Sequence, residues 1–177
     1  MPKLAFILGA PNDTDGTLSS ISLRRIETGI ERQRNDNSIE LLATGGFGSH
    51  FNSTDTPHRE LVYRHLEAAG ARIDRAEASD LLSANTVEDI ALIVAFTKAR
   101  GIDDYCIITS RFHVARCHFI VDCLAKNQAV AIVAADDPPD LAADTSDHES
   151  RAVRQLSEQG GVIIDGVLHS HPTCSSR

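Results

Sequence analysis

The sequence contains no tryptophan, two tyrosines, six phenylalanines and one methionine in 177 residues. A buried core must therefore be assembled mainly from Ala, Val, Ile and Leu. Cysteine is sparse as well: Cys106, Cys117, Cys123 and Cys174 form no Cys-x-x-Cys pair. Three of them sit inside apolar patterns, where a free thiol behaves as a small hydrophobe, so reduced, buried thiols in a reducing compartment are expected. Long hydrophobic runs are missing. The first one, Leu4 to Leu8, is far short of the ~20 residues that span a bilayer and too short for a signal-peptide core. The expectation is a cytoplasmic protein without a membrane partner. Positive charge is in deficit too, with 17 Lys and Arg against 25 Asp and Glu and a formal net charge of −8. Most of such a surface repels a phosphate backbone, which argues against nucleic acid as a partner. A small anion remains compatible, because one pocket can be basic on an acidic protein.

What is present reads as one globular domain. Hydrophobic residues are 42% and charged residues 24% of the chain, and a domain of this length buries roughly 70% of its unfolded surface. Leu4–Leu8, closed by Gly9, Pro11 and Asn12, has the form of a central parallel strand. Leu23, Ile26 and Ile30 recur at helical spacing, with Arg24, Arg25, Glu31 and Arg32 between them. Ile39–Thr44 is a second apolar run, ended by Gly45, Gly46, Phe47 and Gly48. Thr56-Pro57 predicts a helix start with Thr as N-cap and Pro at the first helical position, striped by Val62, Leu66 and Ala69 and stopped by Gly70. Residues 71–82 read as a short strand near Ile73 and then a loop. Asn85 with Glu88 three places on forms a capping box for a helix whose inner face is Val87, Ile90, Ala91 and Val94.

Tyr105–Thr109 is the next strand, followed by a helix striped by Val114, Cys117, Val121 and Leu124, and Ala129–Ala134 is another. The acidic stretch Asp136–Asp147, with Pro138-Pro139, reads as a surface loop. A helix from about His148 to Gln159 and a strand at Val162–Ile164 follow. Strands alternating with helices predict an α/β fold with a mostly parallel sheet covered on both faces. Residues 1–168 are expected to form this single domain, and the polar end 169–177 a flexible tail.

Open α/β sheets hold ligands beyond the carboxyl ends of their strands, where helix N-termini present free N–H groups. The residues at these ends are therefore the candidate site. They are Gly9, Asn12, Asp13 and Gly16 after the first strand, and Thr44, Gly45, Gly46, Gly48 and His50 after the second. Ser83, Asn85, Thr86 and Glu88 follow the third, and Ser110, His113 and Arg116 the fourth. Gly, Asn and Asp also favour turns for backbone reasons alone. The fourth group is the most informative. His113 and Arg116 are three apart and share a helix face, so a hydroxyl, an imidazole and a guanidinium would converge on one anion. His113 also titrates in a range suited to proton transfer. The bland alternative is a His at a helix end and an Arg paired with a surface Asp. The double-glycine loop would let backbone approach a ligand closely, but it is neither a dinucleotide fingerprint nor a P-loop. Nothing in the pattern demands a metal; His169, His171 and Cys174 lie in the polar end.

As a set these motifs resemble the YdcF/SanA/ElyC-like family of bacterial proteins, over Leu8 to about Ala134. Thr109-Ser110-x-Phe112-His113-x-x-Arg116 resembles the family's Thr-Ser-x-Tyr-His-x-x-Arg, and Ser83-x-Asn85-Thr86-x-Glu88 its Ser-x-Asn-Thr-x-Glu. Leu8-Gly9, Arg25, Thr44-Gly45-Gly46 and Glu60 match more weakly. Phe112 stands in place of Tyr, Asp80 in place of Glu, Asp89 in place of Asn, and Cys117 in place of a small residue. The resemblance implies a Rossmann-like three-layer domain and a pocket for a nucleotide-like or phosphorylated small molecule, with S-adenosylmethionine the cofactor-like ligand most associated with soluble members. Envelope-associated relatives carry a membrane anchor that is not seen in this sequence. Two functions follow as expectations. One is a transferase or hydrolase in which Arg116 and Arg25 hold an anion, His113 is acid or base, Ser110 orients it, and Glu60 and Glu88 contact a ribose or amine. The other is a non-catalytic S-adenosylmethionine-binding or metabolite-sensing module. A homo-oligomer is compatible with either.

Overall fold

A computed structural model describes residues 3–49, 51–75 and 80–174. Four strands, β1 (Lys3–Ile7), β2 (Ile39–Ala43), β3 (Asp104–Ser110) and β4 (Ala129–Ala135), form one sheet. Their order is β2-β1-β3-β4, and every pairing is parallel. Side chains alternate across a strand, and the two faces separate accordingly. Ala5 and Ile7 of β1 and Cys106 and Ile108 of β3 face one core with Ile26, Val62, Tyr63 and Leu66. Leu4, Phe6, Tyr105 and Ile107 face the other with Ile90, Ile93, Phe96, Cys117 and Ile120. The first core is closed by α1 (Ser20–Asn35) and α2 (His58–Ala68), the second by α3 (Thr86–Ala99) and α4 (Val114–Leu124). The result is a Rossmann-like three-layer sandwich. Phe6 packs edge-on against both Phe96 and Tyr105, so the few aromatics are concentrated at the centre of one layer. Cys106, Cys117 and Cys123 are buried free thiols.

Several local expectations are corrected. The segment near Ile73 does not form a strand; it makes a single parallel bridge to Leu41 on the outer edge of β2. Residues 76–79 and His50 lie outside the described residues. The helix expected at Thr56-Pro57 starts at His58, and Pro57 rather than Thr56 occupies the cap position, because the Thr56 carbonyl accepts from Asn52 Nδ2 at 2.7 Å. The final helix, α5 (Thr145–Gln159), begins three residues earlier than expected, within the acidic stretch.

Val162–Ile164 does not extend the parallel sheet. It belongs to β5 (Gly161–Ile164), which pairs antiparallel with β6 (Val167–Ser170) as a separate hairpin. The turn between them is Asp165-Gly166, both at positive φ (49° and 77°), the two-residue arrangement that matches strand twist. His169 and Ser170, expected in a flexible tail, are thus strand residues. His171 stacks on Phe119 with ring centroids 4.2 Å apart, and Pro172–Cys174 form a short 3-10 turn. Residues 175–177 are outside the described set. Among the described residues no helix is long and apolar enough to cross a membrane.

The chain leaves β1 toward β2 and leaves β3 toward β4, in opposite directions along the sheet. The carboxyl ends of β1 and β3 therefore part company, which opens a crevice between the loops that follow them.

Candidate functional site

A cavity of about 640 Å³ fills this crevice, a size typical of small-molecule sites. Gly9, Ala10 and Pro11 line it from the end of β1, and Phe112 and His113 from the end of β3. Arg25 reaches it from α1, Asn85, Thr86 and Asp89 from α3, Arg116 from α4, and His148 and Glu149 from α5.

Arg25 forms the floor. It lies on the buried face of α1 beside Ile26 rather than among that helix's exposed charges, and only 3% of it is exposed. Its Nε donates to Ser110 Oγ at 2.9 Å, and its Nη1 donates to the carbonyls of Leu8 (3.1 Å) and Gly9 (2.6 Å). All three partners are neutral. Among the described residues, no carboxylate lies within ion-pair distance of the guanidinium, and Nη2 has no hydrogen-bond partner. Burial depresses its pKa to about 10, only partly opposed by Cys117, Asp89 and Glu149.

His113 occupies the wall. It is 5% exposed, in the 3-10 turn Arg111–His113 that joins β3 to α4. Its Nδ1 lies 2.9 Å from Glu149 Oε2 and its Nε2 3.2 Å from Thr86 Oγ1. Arg116 Nη2 donates to Glu149 Oε1 at 2.8 Å and lies 3.1 Å from His113 Nδ1. Burial pushes the imidazole down to about 4, against the opposing pull of Glu149. Burial also disfavours the charged form of Glu149, but the hydrogen bond from His113 and the Arg116 charge prevail and hold it below the usual carboxylate range. An ionised Glu149 accepts and cannot donate, so Nδ1 carries the imidazole hydrogen.

Asp89 is the second buried acid. It accepts from Ser83 Oγ, and Thr44 also bonds to it; burial raises its pKa to about 6 despite these hydrogen bonds and the Arg25 charge.

The structure thus gathers Gly9, Arg25, Gly48, Ser83, Asn85, Thr86, His113 and Arg116 around one cavity. The other candidates lie elsewhere. Ser110 is fully buried behind Arg25 and does not line the cavity. Thr44 supports the wall from behind, its Oγ1 accepting from the Gly9 N–H at 3.1 Å. The N–H groups of Gly45 and Gly46 do not point at a ligand; they donate to the carbonyls of Leu81 and Ser83 at 3.0 and 2.7 Å. Gly45 is required for another reason. Its φ is +110°, and a Cβ there would sit 2.8 Å from the Phe51 ring. Asn12 packs under the loop, its Oδ1 accepting from His58 Nδ1 at 3.2 Å. Asp13 is exposed, with its N–H tied to Thr17. Glu60 is paired with Arg75 at 3.0 Å. Glu88 reaches back over the start of α3, accepting from the Ala84 N–H and Asn85 Nδ2 at 2.8 and 2.7 Å rather than from the Asn85 N–H that a capping box predicts.

Sequence reasoning missed Glu149 and His148 altogether and gave Asp89 no role. A signal for Glu149 existed. It stands four and seven residues before Val153 and Leu156, so it continues an apolar helix stripe with an acid. Among the described residues no three His, Cys, Asp or Glu side chains are grouped to hold a metal ion. No protein-family model matches the chain, and neither does any curated protein or solved structure.

Proposed function

We propose that the crevice binds a small anionic or nucleotide-like molecule, with Arg25 as its anion-holding charge and His113 as an acid–base group beside it. The observation that carries this reading is the guanidinium of Arg25, buried at the cavity floor with only neutral partners. Desolvating a charge is costly unless an opposite charge compensates it, and a ligand anion on the open side of Arg25 supplies that compensation. Arg116 is a weaker anion holder than the sequence alone implies, because its charge already serves Glu149. The segments that carry the resemblance to the YdcF/SanA/ElyC-like family both contribute cavity residues, which supports the same reading.

The test is a thermal-shift and calorimetry panel of inorganic phosphate, nucleoside monophosphates, sugar phosphates, S-adenosylmethionine and S-adenosylhomocysteine. A true ligand at 100 times its dissociation constant stabilises the fold by about 2.7 kcal/mol. A panel in which no anion shifts the midpoint, or one in which Arg25→Lys leaves the shift unchanged, refutes the proposal. A second reading, a non-catalytic site for S-adenosylmethionine, draws on the carboxylates of Asp89 and Glu149 lining the same cavity as Arg25. A zwitterionic end group would meet both signs there. In that case the ligand binds and is recovered intact.

A further inference from the structure

We propose that Thr86, His113 and Glu149 act as nucleophile, base and orienting carboxylate, and that the site transfers the acyl group of a small anionic carboxylic ester through a covalent Thr86 ester. The proposal rests on the anion-binding reading above and extends it to a reaction.

The proton positions follow from the geometry. Glu149, held at Oε1 by Arg116 Nη2 (2.8 Å), takes the Nδ1 hydrogen of His113 across 2.9 Å. A neutral imidazole with hydrogen on Nδ1 can only accept at Nε2. The Thr86 hydroxyl, 3.2 Å away, must therefore donate to that nitrogen, which leaves its oxygen lone pairs directed away from the base. Thr86 and His113 both line the cavity. A hydroxyl within reach of a base that is itself oriented by a third group is the arrangement that activates an alcohol, and it is recognised by roles rather than by sequence order. Thr86 is also the first residue of α3. Among the described residues its N–H and that of Val87 have no partner, and the positive end of the helix dipole favours an oxyanion formed beside them.

Thr86 Oγ bonds to the ester carbonyl carbon while its proton passes to His113 Nε2, and the carbonyl oxygen becomes the oxyanion. Collapse breaks the bond to the leaving alcohol, which takes the proton from Nε2, and the acyl group stays on Thr86. Water then attacks, again giving its proton to Nε2. Collapse returns that proton to Thr86 Oγ and releases the carboxylic acid. Arg25 selects esters that carry a separate negative charge. Glu149 is a positioning residue: it fixes the tautomer and stabilises the imidazolium.

The experiment uses the full chain with p-nitrophenyl hemisuccinate as the anionic ester and p-nitrophenyl acetate as the neutral one. Nitrophenolate release is followed, and acid-quenched protein is examined by intact mass and peptide mapping. The expected result is a succinyl adduct on Thr86, faster release from the hemisuccinate, no adduct in Thr86→Ala or His113→Ala, and an adduct retained in Thr86→Ser. Glu149→Gln should slow acylation by about 10²-fold or more. It should also move the acidic limb of the rate profile to lower pH, since the imidazole loses the carboxylate that holds its Nδ1 hydrogen while Arg116 on α4 and Arg25 on α1 remain nearby. A wild-type chain with no adduct, an adduct mapped to another residue, or a Thr86→Ala variant with wild-type release overturns the proposal. Calorimetry with inorganic phosphate on the wild-type chain separates the two readings: phosphate binding without an adduct refutes the relay alone, and loss of both refutes the anion site as well.

Discussion

Replacing Arg25 by methionine distinguishes what its buried charge costs the fold from what it contributes to binding. Two opposed terms act on stability. Burial has pushed the guanidinium from 12.5 to about 10, which corresponds to about 3 kcal/mol against the charged form; methionine removes that cost while filling similar space. The same change deletes three hydrogen bonds, to Ser110 Oγ and to the carbonyls of Leu8 and Gly9. Bonds from a charged donor contribute about 1.5–3 kcal/mol each, part of which returns if water enters the vacated space. The lost bonds outweigh the relieved burial, and water returns part of the difference, so Arg25→Met should lower unfolding stability by about 1–4 kcal/mol. Binding has no such offset. A unit charge about 4 Å from a ligand anion at an effective dielectric constant of about 20 contributes about 4 kcal/mol, so affinity should fall on the order of 10³-fold. Urea denaturation and phosphate calorimetry on the same sample read both quantities. A variant that binds within tenfold of the wild type shows that Arg25 is not the anion holder. One that loses more than about 5 kcal/mol of stability shows that the guanidinium is a structural keystone instead.

Acid should destabilise the protein through its buried histidines. His58, pushed to about 4 by burial, and His113, likewise near 4, are neutral in the fold where the unfolded chain already binds protons. Their stabilising contribution is therefore complete above pH 6.5 and is lost as pH falls toward 4. For each, the full loss is about 3 kcal/mol, measurable from urea midpoints between pH 7 and pH 4.5; a flat profile refutes neutral burial. Asp89 acts in the opposite sense. Its carboxyl is raised to about 6, so the wild type loses stability between pH 3.8 and 6, and Asp89→Asn should gain up to about 3 kcal/mol over it at pH 7.5 but little at pH 4. Equal gains at both pH values would show that burial is not what raises Asp89. Gly45→Ala should cost about 1–3 kcal/mol, because φ is +110° and the new methyl meets Phe51 at 2.8 Å; an unchanged urea midpoint would refute that strain.

The local signals in the chain worked where backbone chemistry alone decides. Asn85 is the expected N-cap of α3, its Oδ1 accepting from the Glu88 N–H at 3.0 Å. The Asp165-Gly166 dipeptide held a hairpin signal as well, but the four residues after it run Val167-Leu168-His169-Ser170, with the apolar pair exposed, so no alternation marked them as a strand. Gly45 and Gly46 misled because glycine next to a strand end suits both ligand approach and tight backbone packing, and here their N–H groups are used by Leu81 and Ser83.

By itself, the sequence determined the four strands of the parallel sheet, the helices and the end of the sheet where polar residues gather, because apolar period, caps and turns act over a few neighbouring residues. It also marked His113 and Arg116 as neighbours, since a three-residue step on a helix brings them to one face. Only tertiary structure decided their partners. Glu149 meets His113 from 36 positions away, and Arg25 reaches Ser110 from 85. Which acid neutralises which base, and which cation is left facing the cavity, depends on how α1, α4 and α5 pack over the sheet, and no local pattern contains that information.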